Sequence, residues 1–392
     1  MNLQSNILTF GKVRASWAQV GNDANPYQLA QTFRSGGSWN GSAAQYYENT
    51  TIANSSLKPE ITTGIEAGLD LRFFRNKLGL DITYYNQTTE NQILGVEISK
   101  ASGYGQRILN AGKITNKGLE LTLSGTPIDL PSGFKWDISV NYARNRNEVI
   151  ELAEGLETFT LQERRGLVSL AKIGEPYGTL YGIGFKRTDA GQVIYENGLP
   201  ITETTPQVLG SVQPKWMGGI NNTFSYKRLV INALIDARIG GSFYDEGTAT
   251  GRWTGQYAET AIGREEGVIG EGVMNVGTAE SPQYVSNDVI IPGNVFYGRN
   301  NPRRYHEVGI FDGTFVKLRE VSIGWRVPET ILSRAKIQSA KISLVGRNVL
   351  MLFSNHPHVD PEVDAYGGNS QGFTYGQLPS SRSLGFNLSL GF

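Results

Sequence analysis

The densest run of chemistry-bearing side chains in the 392-residue sequence is HPHVDPEVDAYGG, which places His356, His358, Asp360, Glu362 and Asp364 close together. Imidazoles and carboxylates at this density are the donor types of zinc and calcium sites. The spacing matches neither. It lacks the helical His-x-x-x-His pair of a zinc protease and the glycine at position six of a calcium loop. The stretch therefore reads as a solvated loop organised by an Asp-Pro turn, with no metal expected. Glu265 and Glu266 offer two carboxylates, but adjacent residues on a loop make a solvated face rather than the opposed pair of a glycosidase. GGNSQG, 367–372, lacks the flanking strand and helix of a dinucleotide site and also reads as a loop. No catalytic residue and no cofactor are expected.

Aromatic side chains between the regular elements carry a different chemistry. Trp39, Tyr46, Tyr47, Trp253, Tyr257, Tyr297 and Tyr305 present flat rings that stack on sugars or peptide side chains, and Arg252 or Arg264 can bond polar groups beside them. The same rings can equally pack the loops together or meet a capping partner. Both readings place the rings on long connections, so the elements that carry those connections decide what they do.

Those elements are strands. GIEAGLDLRFFRNKLGLDITYY alternates strictly on both sides of one turn: Ile65, Ala67, Leu69, Leu71 and Phe73, then Leu78, Leu80, Ile82 and Tyr84, share one face. Glu66, Asp70, Arg72, Asp81 and Thr83 share the other. A period of two is the signature of a strand. The pattern returns over 12–20, 116–125, 134–142, 216–226, 229–239, 315–327, 341–353 and 383–392. That makes about ten strands, most longer than the usual five to six residues. Short connections are expected after Phe73, Thr126, Tyr226 and Val327, and long ones after Val20, Gln87, Tyr142, Ile239 and Phe353.

Composition agrees. Glycine supplies 48 of 392 residues, lysine plus arginine equal aspartate plus glutamate at 36 each, and cysteine is absent. A turn-rich all-β chain fits this, whereas a disulfide framework, thiol chemistry and a nucleic-acid partner do not. No apolar run reaches the ~18 residues of a transmembrane helix, and no signal peptide is visible at the start. Long amphipathic strands with every long loop at one end describe a transmembrane barrel. Phe73, Phe74, Phe134, Trp136, Phe224, Tyr226, Trp325 and Phe392 gather near the short-turn ends, where an interfacial aromatic girdle belongs. The apolar face is then expected to meet lipid. The polar face, with Glu66, Asp70, Asp81 and Glu120, is expected to meet a wet lumen, where these carboxylates tune hydration or contact a plug.

Six segments carry a family resemblance: NSSLKPEITTGIEAGLD, NAGKITNKGLELTLSGTPI, QPKWMGGINNTFSYKRLVI, FVKLREVSIGWRVPETIL, GRNVLMLFSNHPHVDPEV and SLGFNLSLGF. In order and spacing they resemble the C-terminal barrel of TonB-dependent outer-membrane receptors of the SusC/RagA type. The resemblance implies an antiparallel transmembrane β-barrel in the cell outer membrane. Residues 1–392 would form about ten C-terminal strands of a larger plugged barrel, with the plug, the N-terminal strands and the signal peptide absent. It implies import of a glycan or peptide, a capping surface lipoprotein of the SusD type, and energy from the TonB complex through the missing N-terminal part. It also implies that the last strand, with Phe386 and Phe392, is read as an assembly signal. The alternative is a secreted β-rich carbohydrate-binding or adhesin module.

Overall fold

The hydrophobic alternation materialises as ten long strands in a computed structural model that describes residues 7–299, 305–332, 337–362, 368 and 371–391. They are β1 (Leu8–Asn22), β2 (Glu60–Phe73), β3 (Leu78–Glu90), β4 (Gly112–Asp129), β5 (Phe134–Leu152), β6 (Trp216–Tyr226), β7 (Leu229–Ile239), β8 (Phe315–Arg326), β9 (Ser339–Ser354) and β10 (Ser383–Gly391). They form one ten-stranded sheet in strictly sequential order. Phe392 and Asp364 lie outside the described residues.

The chain divides into two compact units. The first comprises Met1–Gly125, Asn141–Phe159 and Ala171–Tyr177; the second comprises Thr126–Val140, Thr160–Leu170 and Gly178–Phe392. In the first, antiparallel register fixes the two faces residue by residue. Val13 opposes Leu69, which opposes Ile82, which opposes Leu121; Leu71, Leu80 and Leu123 form the next row. On the other face Lys12, Asp70, Asp81 and Thr122 align, and one step on Arg14, Gly68, Thr83 and Glu120. Since paired residues share a face, a slip of one residue would mix the two sets.

In the second unit the register runs Phe224, Ile231, Ile323, Leu344 and Phe386 across β6 to β10, with Tyr226, Leu229, Trp325, Ile342 and Leu388 as the neighbouring row. The Trp136 and Phe224 rings stack at 5.9 Å. Within this unit Trp136, Phe224, Tyr226 and Trp325 thus gather near the turn end.

These apolar rows are only partly covered: Val13, on the edge strand β1, is 80% exposed and Ile323, inside the sheet, 49%, while Leu69, Leu80, Ile82 and Ile231 are half-buried. The buried apolar clusters lie elsewhere: in the first unit Ile114, Val149 and Leu152, at the loop ends of β4 and β5, pack with Ala171 of the following connection, and in the second unit Leu167, Leu180, Val212, Tyr244 and Phe373 lie among the connections. Burial pushes the hydroxyls of Tyr177 and Tyr244 up to about 12.

Several boundaries differ from the sequence expectation. β5 runs ten residues past Tyr142, to Leu152, so its long connection starts there. β1 begins at Leu8, β3 continues to Glu90, and β4 spans 112–129, moving its turn to 130–133. The added residues, such as Arg144, Asn145, Arg146 and Asn147, are polar on both faces. Alternation registers the apolar medium, whereas the hydrogen-bonded ladder continues beyond it. The connection after β8 is also longer than expected and contains a helical turn, Glu329–Leu332. The remaining long connections are 23–59, 91–111, 153–215, 240–314 and 355–382.

Candidate functional site

In the second unit the 240–314 connection opens with α1 (Glu246–Trp253). Its N-cap is Asp245, whose Oδ1 accepts from the Gly247 and Thr248 amides at 2.9 and 3.2 Å. Asp245 is fully buried. Its Oδ2 faces His356 Nε2 at 3.3 Å, and neither atom has another partner among the described residues. The His356 Nδ1 accepts from the amides of His358 and Val359, both at 3.1 Å. That lone pair being used, the ring proton belongs on Nε2, aimed at Asp245. Burial alone would raise the Asp245 carboxyl; the His356 and Thr248 hydrogen bonds hold it below the usual carboxylate range.

At the other end of α1, Arg252 Nε donates to Glu259 Oε1 at 3.0 Å, and His358 Nε2 meets the same oxygen at 2.8 Å. The Tyr257 ring stacks on His358 at 3.8 Å, and the Arg252 guanidinium lies over Phe311 at 5.3 Å. Burial pushes the Glu259 carboxyl up, but His358 and Arg252 outweigh it and bring it down to about 2.

These residues frame a cavity of about 350 Å³, walled by Phe185, Tyr195, Phe296, Tyr297 and Val308 with Arg252 and Glu259 at one side. The Tyr297 hydroxyl donates to the Glu259 carbonyl at 3.0 Å, and Tyr305 packs on Phe185 at 5.5 Å. So the second unit gathers Arg252 and Tyr297 at one cavity, with Tyr257 and Tyr305 directly behind it. Trp253 is half-buried and lines no wall of that cavity. Arg264 is occupied as a staple, bonding the carbonyls of Thr260 and Gly255 at 3.1 and 2.6 Å. Trp39, Tyr46 and Tyr47 belong to the first unit, on an exposed hairpin of Phe33–Trp39 and Ala43–Glu48.

The HPHVDPEV loop is not the solvated loop that its sequence suggests. Lys317, a buried cation on β8, bonds Asp360 at 2.7 and 2.8 Å and also Glu362. Arg319 joins Glu362 at 2.7 and 2.8 Å, Asn348 at 3.0 Å, and Asp236. Both loop carboxyls are held below the usual range because these cations outweigh burial. The Asp360 side chain is covered and His356 is buried; the described members of the run of apparent metal donors are taken up in ion pairs, with Asp360 and Glu362 sharing Lys317. Lys317, Arg319 and Asp236 escaped the sequence reading, although charged residues at alternate strand positions were the available signal. Glu265 and Glu266 are exposed; half of GGNSQG lies outside the described residues.

The polar face of the first unit forms a second cavity, of about 510 Å³, at which Glu66, Asp81 and Glu120 meet Arg14, Thr83 and Tyr85. Arg14 holds Asp81 through two hydrogen bonds, at 2.8 and 2.7 Å, and its chain crosses Gly68, where a Cβ would collide with Nε. Asp70 is not among the lining residues; it pairs with Arg72 at 3.6 Å. Arg14 was the member missed in the sequence.

The family model for TonB-dependent receptor-like β-barrels matches residues 6–297. TonB-dependent receptor P3 of Formosa agariphila is 26% identical over 99% of this chain and 40% of its own length. TonB-dependent receptor SusC of Bacteroides thetaiotaomicron is 29% identical over 38% of this chain and 15% of its own. In structure the chain superposes on the RagAB peptide transporter with a TM-score of 0.74 at 20% identity, covering 100% of this chain and 42% of that one. At that identity the likeness speaks for the fold. The chain spans about 40% of the length of the first curated relatives it matches.

Proposed function

Because this chain belongs to the TonB-dependent receptor-like β-barrel family of the outer membrane, we propose that it supplies barrel wall and extracellular loops to a receptor that imports a glycan or peptide nutrient. The observation that carries this reading is the two-faced register. An unbroken apolar row from Val13 to Leu121 suits lipid, and the opposite face places Arg14, Asp81 and Glu120 at a polar cavity suited to a hydrated lumen. The long connections carry the aromatic cavity on the side where a nutrient arrives. A secreted binding module is disfavoured, since its outer sheet face would lie bare in water.

Within this reading the chain has no catalytic role. A SusD-type lipoprotein caps the loops, and TonB supplies energy through parts of the receptor other than these strands. Phe386 and Phe392 act as the assembly signal, read by strand addition at a sheet edge. Deleting Phe392 should slow insertion and leave periplasmic precursor while sparing molecules already inserted.

The test is uptake by intact cells. Removing the receptor, or TonB, should abolish uptake of one nutrient pool, glycan or peptide, and the receptor should fractionate with the outer membrane as a heat-modifiable band. Recovery in the soluble secreted fraction would overturn the proposal.

A further inference from the structure

The loop cavity beside α1 is more selective than an aromatic lining alone implies. Its walls are Phe185, Tyr195, Phe296, Tyr297 and Val308, and its volume of about 350 Å³ falls in the lower range for small-molecule sites. A neutral sugar needs a polar partner for each of several hydroxyls. Here the Tyr297 hydroxyl is committed to the Glu259 carbonyl, and Glu259 Oε1 to Arg252 and His358. Arg252 uses Nε for Glu259 and one face of its guanidinium for Phe311, while its two terminal amino groups, like the second carboxylate oxygen of Glu259 and the Tyr195 hydroxyl, have no hydrogen-bond partner among the described residues.

We propose that this cavity binds an apolar side chain joined directly to a carboxylate, as in an aromatic amino acid or at the C-terminus of a short peptide. The side chain fills the aromatic hollow, and the carboxylate takes the forked donors of Arg252. Glu259 does not forbid this. A guanidinium has two edges, and in this same chain Arg319 holds Asp236 and Glu362 together. Glu259, clamped by His358, fixes the orientation of Arg252 and lowers the ordering cost of binding.

This inference rests on the import reading for its biological meaning, but its test does not. The whole receptor, purified in detergent, is titrated calorimetrically with N-acetylphenylalanine, its amide, and glucuronic acid. The acid should bind roughly tenfold or more tightly than the amide, the usual weight of a charge-assisted contact, and glucuronic acid should give no heat. Arg252→Gln should bring acid and amide to equal affinity. Ala249→Leu, which fills the cavity from α1, should abolish binding of both, and Val308→Trp should do the same from another element if Ala249→Leu fails to fold. Unfolding temperature and heat-modifiable mobility report folding. Free phenylalanine and the dipeptide Gly-Phe, titrated side by side, separate amino acid from peptide. Equal binding of acid and amide to the unaltered receptor, or binding of glucuronic acid at comparable affinity, would overturn the proposal. Loss of uptake with binding intact would count against the import reading alone.

Discussion

At the residue scale, His306 shows how these loops are tied. Its Nδ1 accepts from the Ile183 amide at 2.9 Å, and its Nε2 meets the Arg165 carbonyl at 3.0 Å, which makes Nε2 the protonated nitrogen. Burial pushes the imidazole below its ordinary value of 6.5, and the Arg165 carbonyl only partly opposes it. The unfolded segment takes up a proton near pH 6.5 while the folded one resists. The tie is therefore complete above that pH and weakens as pH falls below it. Hydrogen exchange at the Ile183 amide, corrected for intrinsic rate, should show protection falling as pH drops below about 6.5; constant protection down to about pH 5 would show that protonation of His306 does not loosen the tie. On the sheet, Leu80→Arg should cost about 2–4 kcal/mol for a charge facing lipid near mid-depth. Its neighbour gives the contrast. Asp81→Asn breaks a partly exposed pair with Arg14 and should cost no more than about 1 kcal/mol. Comparing folding into lipid vesicles of both variants measures the difference.

At the element scale, α1 stands or falls with Asp245. One carboxylate caps the helix and faces a buried imidazole from a loop more than a hundred residues later. Asp245→Ala removes a cap worth about 1 kcal/mol and leaves the His356 N–H without an acceptor, a further cost of about 1–3 kcal/mol. Limited proteolysis should open the 246–261 segment in this variant while the ten strands stay resistant. Cleavage equal to that of the parent would show that the pair does not hold the helix. What could be read from sequence follows the same physics. Leu69, Leu71, Leu80 and Ile82 were legible because an apolar medium enforces a period of two. The outer half of β5 was not, because beyond that medium nothing enforces it. The short pairings that shape the loops were also hidden. Ile194 and Tyr195 run parallel to Val273 and Met274, and Tyr244 runs beside Phe373. No local pattern marks such distant partners. Arg252 and Tyr297 were visible as residue types; that His358 would clamp Glu259 was not, since 99 residues separate them.

At the scale of the molecule, two solvents explain the distribution of side chains. Within each unit the apolar residues of the long strands share one sheet face, with Arg14 and Asp81 on the opposite face in the first unit and Lys317 paired to Asp360 in the second. A protein folded for water alone would invert the sheet's share of this pattern. The most direct test places nitroxide labels singly at positions 80, 81, 82 and 83 of the receptor in outer-membrane lipid and compares quenching by oxygen with quenching by a water-soluble nickel chelate. Labels at 80 and 82 should respond to oxygen and labels at 81 and 83 to the chelate, alternating from one residue to the next. Quenching of 80 and 82 by the chelate, or equal accessibility at all four positions, would contradict the assignment of one face to lipid and the other to the lumen.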